Sequence, residues 1–297
     1  KPDYAMAHSN LGVTLKELGR LDDAESSYRQ AIALKPDHAE AHSNLGVTLQ
    51  ELGRLDDAET SCLQAIALKP DFAESHYNLG NILKDLGRLD DAEASYSQAI
   101  ALKPDYAEAH SNLGITLKEL GRLNQAEASY SQAIALKPDY AEAHSNLGIA
   151  LQELGRLAEA EASFSQAIAL KPDFAQAHSN MGNILTELGR LDEAEASFTQ
   201  AIASKPDHAE THNNLGNTLK ELGRLDDAVA SYNQAITSKP DFAEAHNNLG
   251  NTHRGLGRLD DAVASYNQAI TSKPDFAEAH SNLGVTLKEM GRLEEAA

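Results

Sequence analysis

One asparagine holds the same place in nine successive blocks of this 297-residue chain: Asn10, Asn44, Asn78, Asn112, Asn146, Asn180, Asn214, Asn248 and Asn282, each 34 residues after the last. A primary amide carries donors and an acceptor, so it can meet both polar groups of a peptide backbone without reading the side chain. Packed helices lie ~10 Å apart and an extended segment advances ~3.3 Å per residue, so such a row would grip about every third ligand residue. Each amide can instead bond the helix of the neighbouring repeat. A parallel row of histidines (His8, His42, His76 and onward to His280) raises metal binding. Zinc ligands, however, must converge within ~2 Å of one ion. Rings spaced a whole repeat apart are expected to pack between helices, and His38, His208 and His253 form no ligand set. A third row is acidic (Glu17, Glu51, Asp85, Glu119, Glu153, Glu187, Glu221 and Glu289, broken by Gly255). It is expected to be solvated helix surface, with a preference for cationic groups as its alternative.

Catalytic signatures are missing. There is no GxxxxGK[ST] loop, GxSxG elbow, CxxC pair or HExxH motif. Repeated carboxylates on solvent-facing helices are not a catalytic pair, because nothing desolvates or couples two of them. The chain therefore reads as a non-enzyme with no catalytic residue, no metal and no cofactor. A net charge of −20, from 25 basic and 45 acidic residues, argues against nucleic acid and anionic membrane. The partner it fits is a protein or peptide, neutral or basic, although such acidity also serves solubility. No apolar run approaches the ~20 residues of a bilayer span. A single cysteine, Cys62, rules out an internal disulfide. The compartment is little constrained, with cytoplasm as the default.

The elements that carry these rows follow from the period. The block KPDxAxxHxNxGxxxxxxGRL starts at Lys1 and returns without insertion to Lys273, giving repeats 1–34, 35–68, 69–102, 103–136, 137–170, 171–204, 205–238 and 239–272 and a partial repeat 273–297. A fixed period of this size means that each repeat buries its apolar face by stacking on its neighbours, so 1–297 is read as one array. In the first repeat Pro2 and Asp3 are expected to open and cap helix A over 5–18. Gly19 ends it in the left-handed conformation. Helix B starts near Leu21, with Asp22 and Asp23 at its N-terminal dipole, and stops at Lys35-Pro36. Ala24, Tyr28, Ala31 and Ile32 form its apolar stripe. Cys62 takes the slot of Tyr28 and is expected to be a buried, inert substitute for a ring.

Leu11, Gly12, Ala24, Tyr28, Ala31 and Pro36, with their equivalents every 34 residues, resemble the tetratricopeptide-repeat signature over the entire chain. His8 and its equivalents replace the family's usual tryptophan, and Leu15 and its equivalents its first tyrosine. The resemblance implies an all-α fold: a right-handed α-solenoid superhelix of stacked antiparallel helix pairs, A helices lining a concave groove and B helices outside. Repeats reading AEAHSNLG are similar to the superhelical arm of O-linked N-acetylglucosamine transferases, whose concave asparagines hold extended substrates. By that likeness the nine asparagines would be the peptide-binding residues. Val13, Val47, Asn81, Ile115, Ile149, Asn183, Asn217, Asn251 and Val285 would line the same groove. Family members that grip a carboxylate tail need basic residues where Ser9, Ser43, Ser111 and Glu40, Glu74, Glu108 stand, so no such clamp is expected.

Repeat eight breaks the pattern. His253 replaces the core leucine, and Gly255 sits inside helix A at a cost of ~1 kcal/mol relative to alanine. Drift tolerated by a long array is the expectation, a hinge the alternative. At 294–297 the sequence stops early in a helix B with no capping helix. A longer protein, or cover by a second copy, is expected there, and head-to-tail stacking of such ends would build filaments. The function expected first is a protein-interaction scaffold holding an extended segment in the groove. Two alternatives remain: the substrate-binding arm of a larger glycosyltransferase-type enzyme, and a self-assembling structural filament.

Overall fold

The computed structural model describes residues 2–292. The A helices are α1 (Pro2–Glu17), α3 (Ala39–Glu51), α5 (Ala73–Asp85), α7 (Ala107–Glu119), α9 (Ala141–Glu153), α11 (Ala175–Glu187), α13 (Ala209–Glu221), α15 (Ala243–Gly255) and α17 (Ala277–Glu289). The B helices alternate with them: α2 (Leu21–Leu34), α4 (Leu55–Leu68), α6 (Leu89–Leu102), α8 (Leu123–Leu136), α10 (Leu157–Leu170), α12 (Leu191–Ser204), α14 (Leu225–Ser238) and α16 (Leu259–Ser272). No strand occurs among the described residues. They form two compact bodies, one ending at Leu154 with α1–α9, the other beginning at Gly155 with α10–α17.

Glycine sets both the turn and the crossing. Gly19 has φ +72°, its N–H bonds Lys16 O at 2.9 Å, and Arg20 N–H reaches back to Leu15 O at 2.9 Å. That pair of bonds closes the helix end and turns the chain into α2. At Gly114 a Cβ would lie 2.6 Å from the Tyr130 ring, so only a hydrogen lets helices A and B approach closely enough to bury that ring. Ala24, Tyr28 and Ala31 are buried, as are Ala126, Tyr130 and Ala133 a hundred residues on. Each such ring stabilises its repeat by roughly 1.5–3 kcal/mol.

Expectation fails at two local features. The aspartate of the KPD link does not cap helix A. In α3, α5 and the later A helices the N-cap is the next residue (His38, Phe72, Tyr106), with no side-chain cap bond. Its carbonyl already takes the first helical N–H groups, as His38 O does from Ala41 and His42, which leaves the aspartate one position too early. The ring at the N-cap packs instead under its own lysine: Lys69 Nζ lies 4.7 Å above Phe72 and Lys103 Nζ 4.4 Å above Tyr106. Asp3 itself lies where no side chain is described. Nor do the histidines serve only as filler between helices. His42 Nε2 donates to Pro36 O at 3.0 Å and His212 Nε2 to Pro206 O at 2.8 Å, and every such ring from His42 to His280 makes this bond. A proline carbonyl can only accept, so Nε2 carries the proton. The ring thus ties the link between repeats to the helix that follows it.

Within each body the A helices touch one another, α3 against α5 and α13 against α15, whereas B helices contact no neighbouring B helix. Successive B helices are bridged by ion pairs instead. Arg54 Nη1 lies 2.9 Å from both Glu25 oxygens, Arg88 pairs with Glu59 at 2.8 Å and Arg224 with Glu195 at 2.6 Å.

Candidate functional site

The asparagine row runs along the mutually touching A helices. Asn10 is exposed, Asn44, Asn78, Asn112, Asn146, Asn214, Asn248 and Asn282 are half-buried, and Asn180 is buried. Their amides do not behave alike. Asn10, Asn44 and Asn146 make no side-chain hydrogen bond among the described residues. Asn78 Nδ2 donates to Ser43 Oγ at 3.1 Å, Asn248 Nδ2 to Asn213 Oδ1 at 3.0 Å and Asn282 Nδ2 to Asn247 Oδ1 at 3.0 Å. Asn214 Nδ2 donates to Asn183 Oδ1 at 3.0 Å. Asn112 Nδ2 donates both to Asn81 Oδ1 at 2.8 Å and to the Tyr77 hydroxyl at 3.0 Å. In Asn180 the oxygen accepts from Gln176 at 3.0 Å while Nδ2 is buried without a partner. Many members of the row thus bond the preceding repeat through N–H, and most of those keep an unbonded oxygen.

The row formed by Asn81, Asn217 and Asn251 has a partner that the sequence reading missed. Each accepts the hydroxyl proton of a tyrosine fifteen residues later: Tyr96 at 2.7 Å, Tyr232 at 2.8 Å and Tyr266 at 2.9 Å. The sequence carries no clean signal of it, because Asn183 is followed at that spacing by Phe198, and Ile115 by Tyr130. Tyr77 was also passed over. It stands where the other repeats carry serine or asparagine, with its ring centroid 4.9 Å from that of Tyr106 and 5.9 Å from that of Tyr96. Burial pushes its phenol up, with the charge of Glu108 adding to the shift.

The acidic row is partly neutralised from the preceding repeat. Lys16 Nζ lies 3.0 Å from Glu51, Gln50 Nε2 donates to Asp85 at 2.6 Å, and Lys118 approaches Glu153 to 3.8 Å. No group of three His, Cys, Asp or Glu side chains stands together as metal ligands among the described residues. Cys62 is fully buried and its thiol is pushed up to about 12 by burial. On the opposite side, gaps between successive B helices leave cavities. One of about 540 Å³ lies between α10 and α12 over Ile168, His178 and Met181; equivalents of about 380 Å³ and 280 Å³ lie at Ile32–His42 and Ile202–His212.

Residues 4–215 match the family model described as the Cilia and flagella-associated protein 70 C-terminal domain, and residues 216–257 and 250–291 match the TPR repeat model. Among solved structures, the APC/C hetero-tetramer Cut9-Hcn1 is similar at 17% identity with a TM-score of 0.67, the match covering 90% of this chain and 52% of that one. The chain thus spans about half the length of that neighbour. MamA is similar at 27% identity and TM-score 0.50, over 56% of this chain and 96% of its own. YrrB, described as a TPR protein with an unusual peptide-binding site, is similar at 24% identity and TM-score 0.52, over 62% and 95%. At 17% and 24% identity the likeness shows the fold alone. No curated protein sequence matches.

Proposed function

The chain belongs to the tetratricopeptide-repeat family, through the Cilia and flagella-associated protein 70 C-terminal domain model that covers most of it, and from that premise we propose that it is a protein-interaction scaffold holding an extended protein segment against its A helices. What supports this is the state of the asparagine row. Asn78, Asn248 and Asn282 each use N–H to bond the preceding repeat and keep the carbonyl oxygen, while Asn44 and Asn146 keep the whole amide. A bond to the neighbouring helix fixes the amide plane, so less side-chain freedom is lost when a ligand N–H arrives. Backbone amides are common to every peptide, which suits a permissive scaffold. The net charge of −20 selects neutral or basic segments over acidic ones.

A random-peptide display library panned against the chain tests this. Replacing Asn44 and Asn146 together by alanine is expected to weaken the selected peptides about tenfold, as loss of one to two hydrogen bonds does, with the helical circular dichroism unchanged. Peptides indifferent to that change but sensitive to Ile168→Lys would place the binding surface between the B helices and end this reading.

A further inference from the structure

The lysine that opens each KPD link is held in two ways. Its Nζ pairs with the glutamate in the first turn of the preceding A helix, as Lys103 does with Glu74 at 3.6 Å, Lys137 with Glu108 at 3.3 Å and Lys273 with Glu244 at 3.9 Å. It also lies over the ring of its own N-cap residue, 4.4 Å from Tyr106, 4.6 Å from Tyr140 and 5.2 Å from Phe276 in those repeats. Lys205 makes neither contact among the described residues, because Gln176 stands in the glutamate's place and His208 in the ring's. The Gln176 amide is turned along its own helix, with Nε2 donating to Asn180 Oδ1 at 3.0 Å. His208 is turned along α13: Thr211 Oγ1 gives its proton to Ser179 at 3.0 Å, so it accepts from His208 Nδ1 at 2.6 Å. Glu210 engages the same ring, at 3.6 Å from Nε2.

A cavity of about 270 Å³ opens at this place, lined by Lys171, Asp173, Phe174, Gln176, Lys205 and His208. Two lysines against one aspartate give its lining an excess of positive charge, on a chain whose net charge is −20. The other repeats show which group such a lysine takes: a carboxylate, 3.3–3.9 Å from Nζ in the three pairs above. We propose that the cavity receives the side-chain carboxylate of an aspartate or glutamate within a partner segment, which pairs with Lys205 as the chain's own glutamates pair with the other link lysines. The lysine belongs to the link between repeats, not to the A-helix places where a carboxylate tail would be gripped, and the site does not need the asparagine row. The net charge disfavours acidic partners as a whole, so the segment it fits carries one acid among neutral or basic neighbours.

Lys35 lacks both partners too, with Met6 and His38 in the two places. There the ring of the preceding link, Tyr4, is 60% exposed, whereas Phe174 is half-buried and walls the cavity. Lys35 is thus a lysine of the same kind without the same enclosure.

The test pans a random-peptide display library on the immobilised wild-type chain, with an excess of the Gln176→Glu chain in solution. That variant puts back the carboxylate which other repeats carry, so it occupies Lys205 in a chain expected to fold unchanged. The retained peptides are expected to share an aspartate or glutamate. Its change to asparagine or glutamine should weaken binding about fivefold on the wild type and have no effect on Lys205→Gln. Lys35→Gln and Val229→Glu, which remove the other unpaired lysine and add one negative charge on α14, are expected to leave binding as it is. Asn44→Ala with Asn146→Ala separates this site from the groove: acid-dependent binding is expected to survive that change. A selection that is empty or shares no acid overturns the site. So does weakening by Val229→Glu equal to that by Gln176→Glu, since the response would then be to net charge and not to the cavity.

Discussion

The hydroxyl of Tyr130 is buried beside Ile115 without a hydrogen-bond partner, whereas one repeat earlier Tyr96 gives its proton to Asn81 at 2.7 Å. An unpaired buried hydroxyl costs roughly 1–3 kcal/mol, and the same burial pushes the Tyr130 phenol up. Tyr130→Phe is therefore expected to stabilise the chain by about 1 kcal/mol, and Tyr96→Phe to destabilise it by a similar amount. Ile115→Asn should restore the missing partner and reverse the sign of Tyr130→Phe. Urea denaturation of the four variants checks this, and equal signs for the two tyrosines would refute it.

The ladder of ion pairs between B helices is interrupted in the last repeats, where Val229 takes the place of the glutamate and Arg258 turns to Asp226 at 2.9 Å. Val229→Glu is expected to raise the urea midpoint at low salt and to lose that gain at high salt, as exposed pairs do. Glu25 gives the acid dependence of an intact rung. Burial pushes its carboxyl up, but hydrogen bonds from Arg29 and Arg54 outweigh this and hold it below the ordinary 4.5. Its contribution is present above 4.5 and is lost as pH falls through the lower folded value. A Glu25→Gln chain whose acid midpoint matches the wild type would contradict that.

His253 sits where the other repeats have leucine, with Nδ1 buried and unpartnered. Burial pushes it below the ordinary 6.5; Asp261 opposes this and Arg258 reinforces it. The unfolded chain therefore binds the proton more readily, so stability is fully present above 6.5 and falls as pH drops from there to the folded value. His253→Leu is expected to remove that component and to stabilise the chain by about 1 kcal/mol. Gly255 has open space around a Cβ, the nearest atom being Leu225 Cδ1 at 3.8 Å, so Gly255→Ala should add up to ~1 kcal/mol. Thermal melts at mildly acidic and at neutral pH separate the two, since only the histidine change should alter the pH slope.

Cys62 offers a reporter for local opening. With the thiol fully buried and pushed up to about 12, a thiol reagent at neutral pH should label it only when α4 detaches. Gly46→Ala places a Cβ 2.5 Å from Cys62 Sγ and 3.1 Å from Ala58 O, so labelling should accelerate in that variant. Labelling of the wild type as fast as a free thiol would show that the repeat is open.

The helix pairs were legible because the 34-residue period fixes several places at once: Gly19 can only turn, Gly12 only admit Tyr28, and Leu21 only begin a new helix. Bonds between places were harder to read. His42 reaches Pro36 O and Arg54 reaches Glu25, but a periodic sequence offers every residue many equally spaced partners, and nothing in the spacing selects one. The pairing of Tyr96 with Asn81 was not recoverable from shared variation either, since Asn183 goes with Phe198 and Ile115 with Tyr130. The cap assigned to the link aspartate failed because the first helical N–H groups are already taken by the carbonyl of the ring residue after it. The asparagine row was visible as a row, but not how its amides divide between neighbouring helix and open face.

The bond from each histidine to a proline carbonyl uses Nε2–H alone. It recurs at eight links, from His42 to His280, and each time ties the proline before a helix to the first turn of that helix. A joint stapled in this way is a knuckle rather than a tether: the angle at which the chain enters each A helix is built into the link itself and not left to the packing beside it.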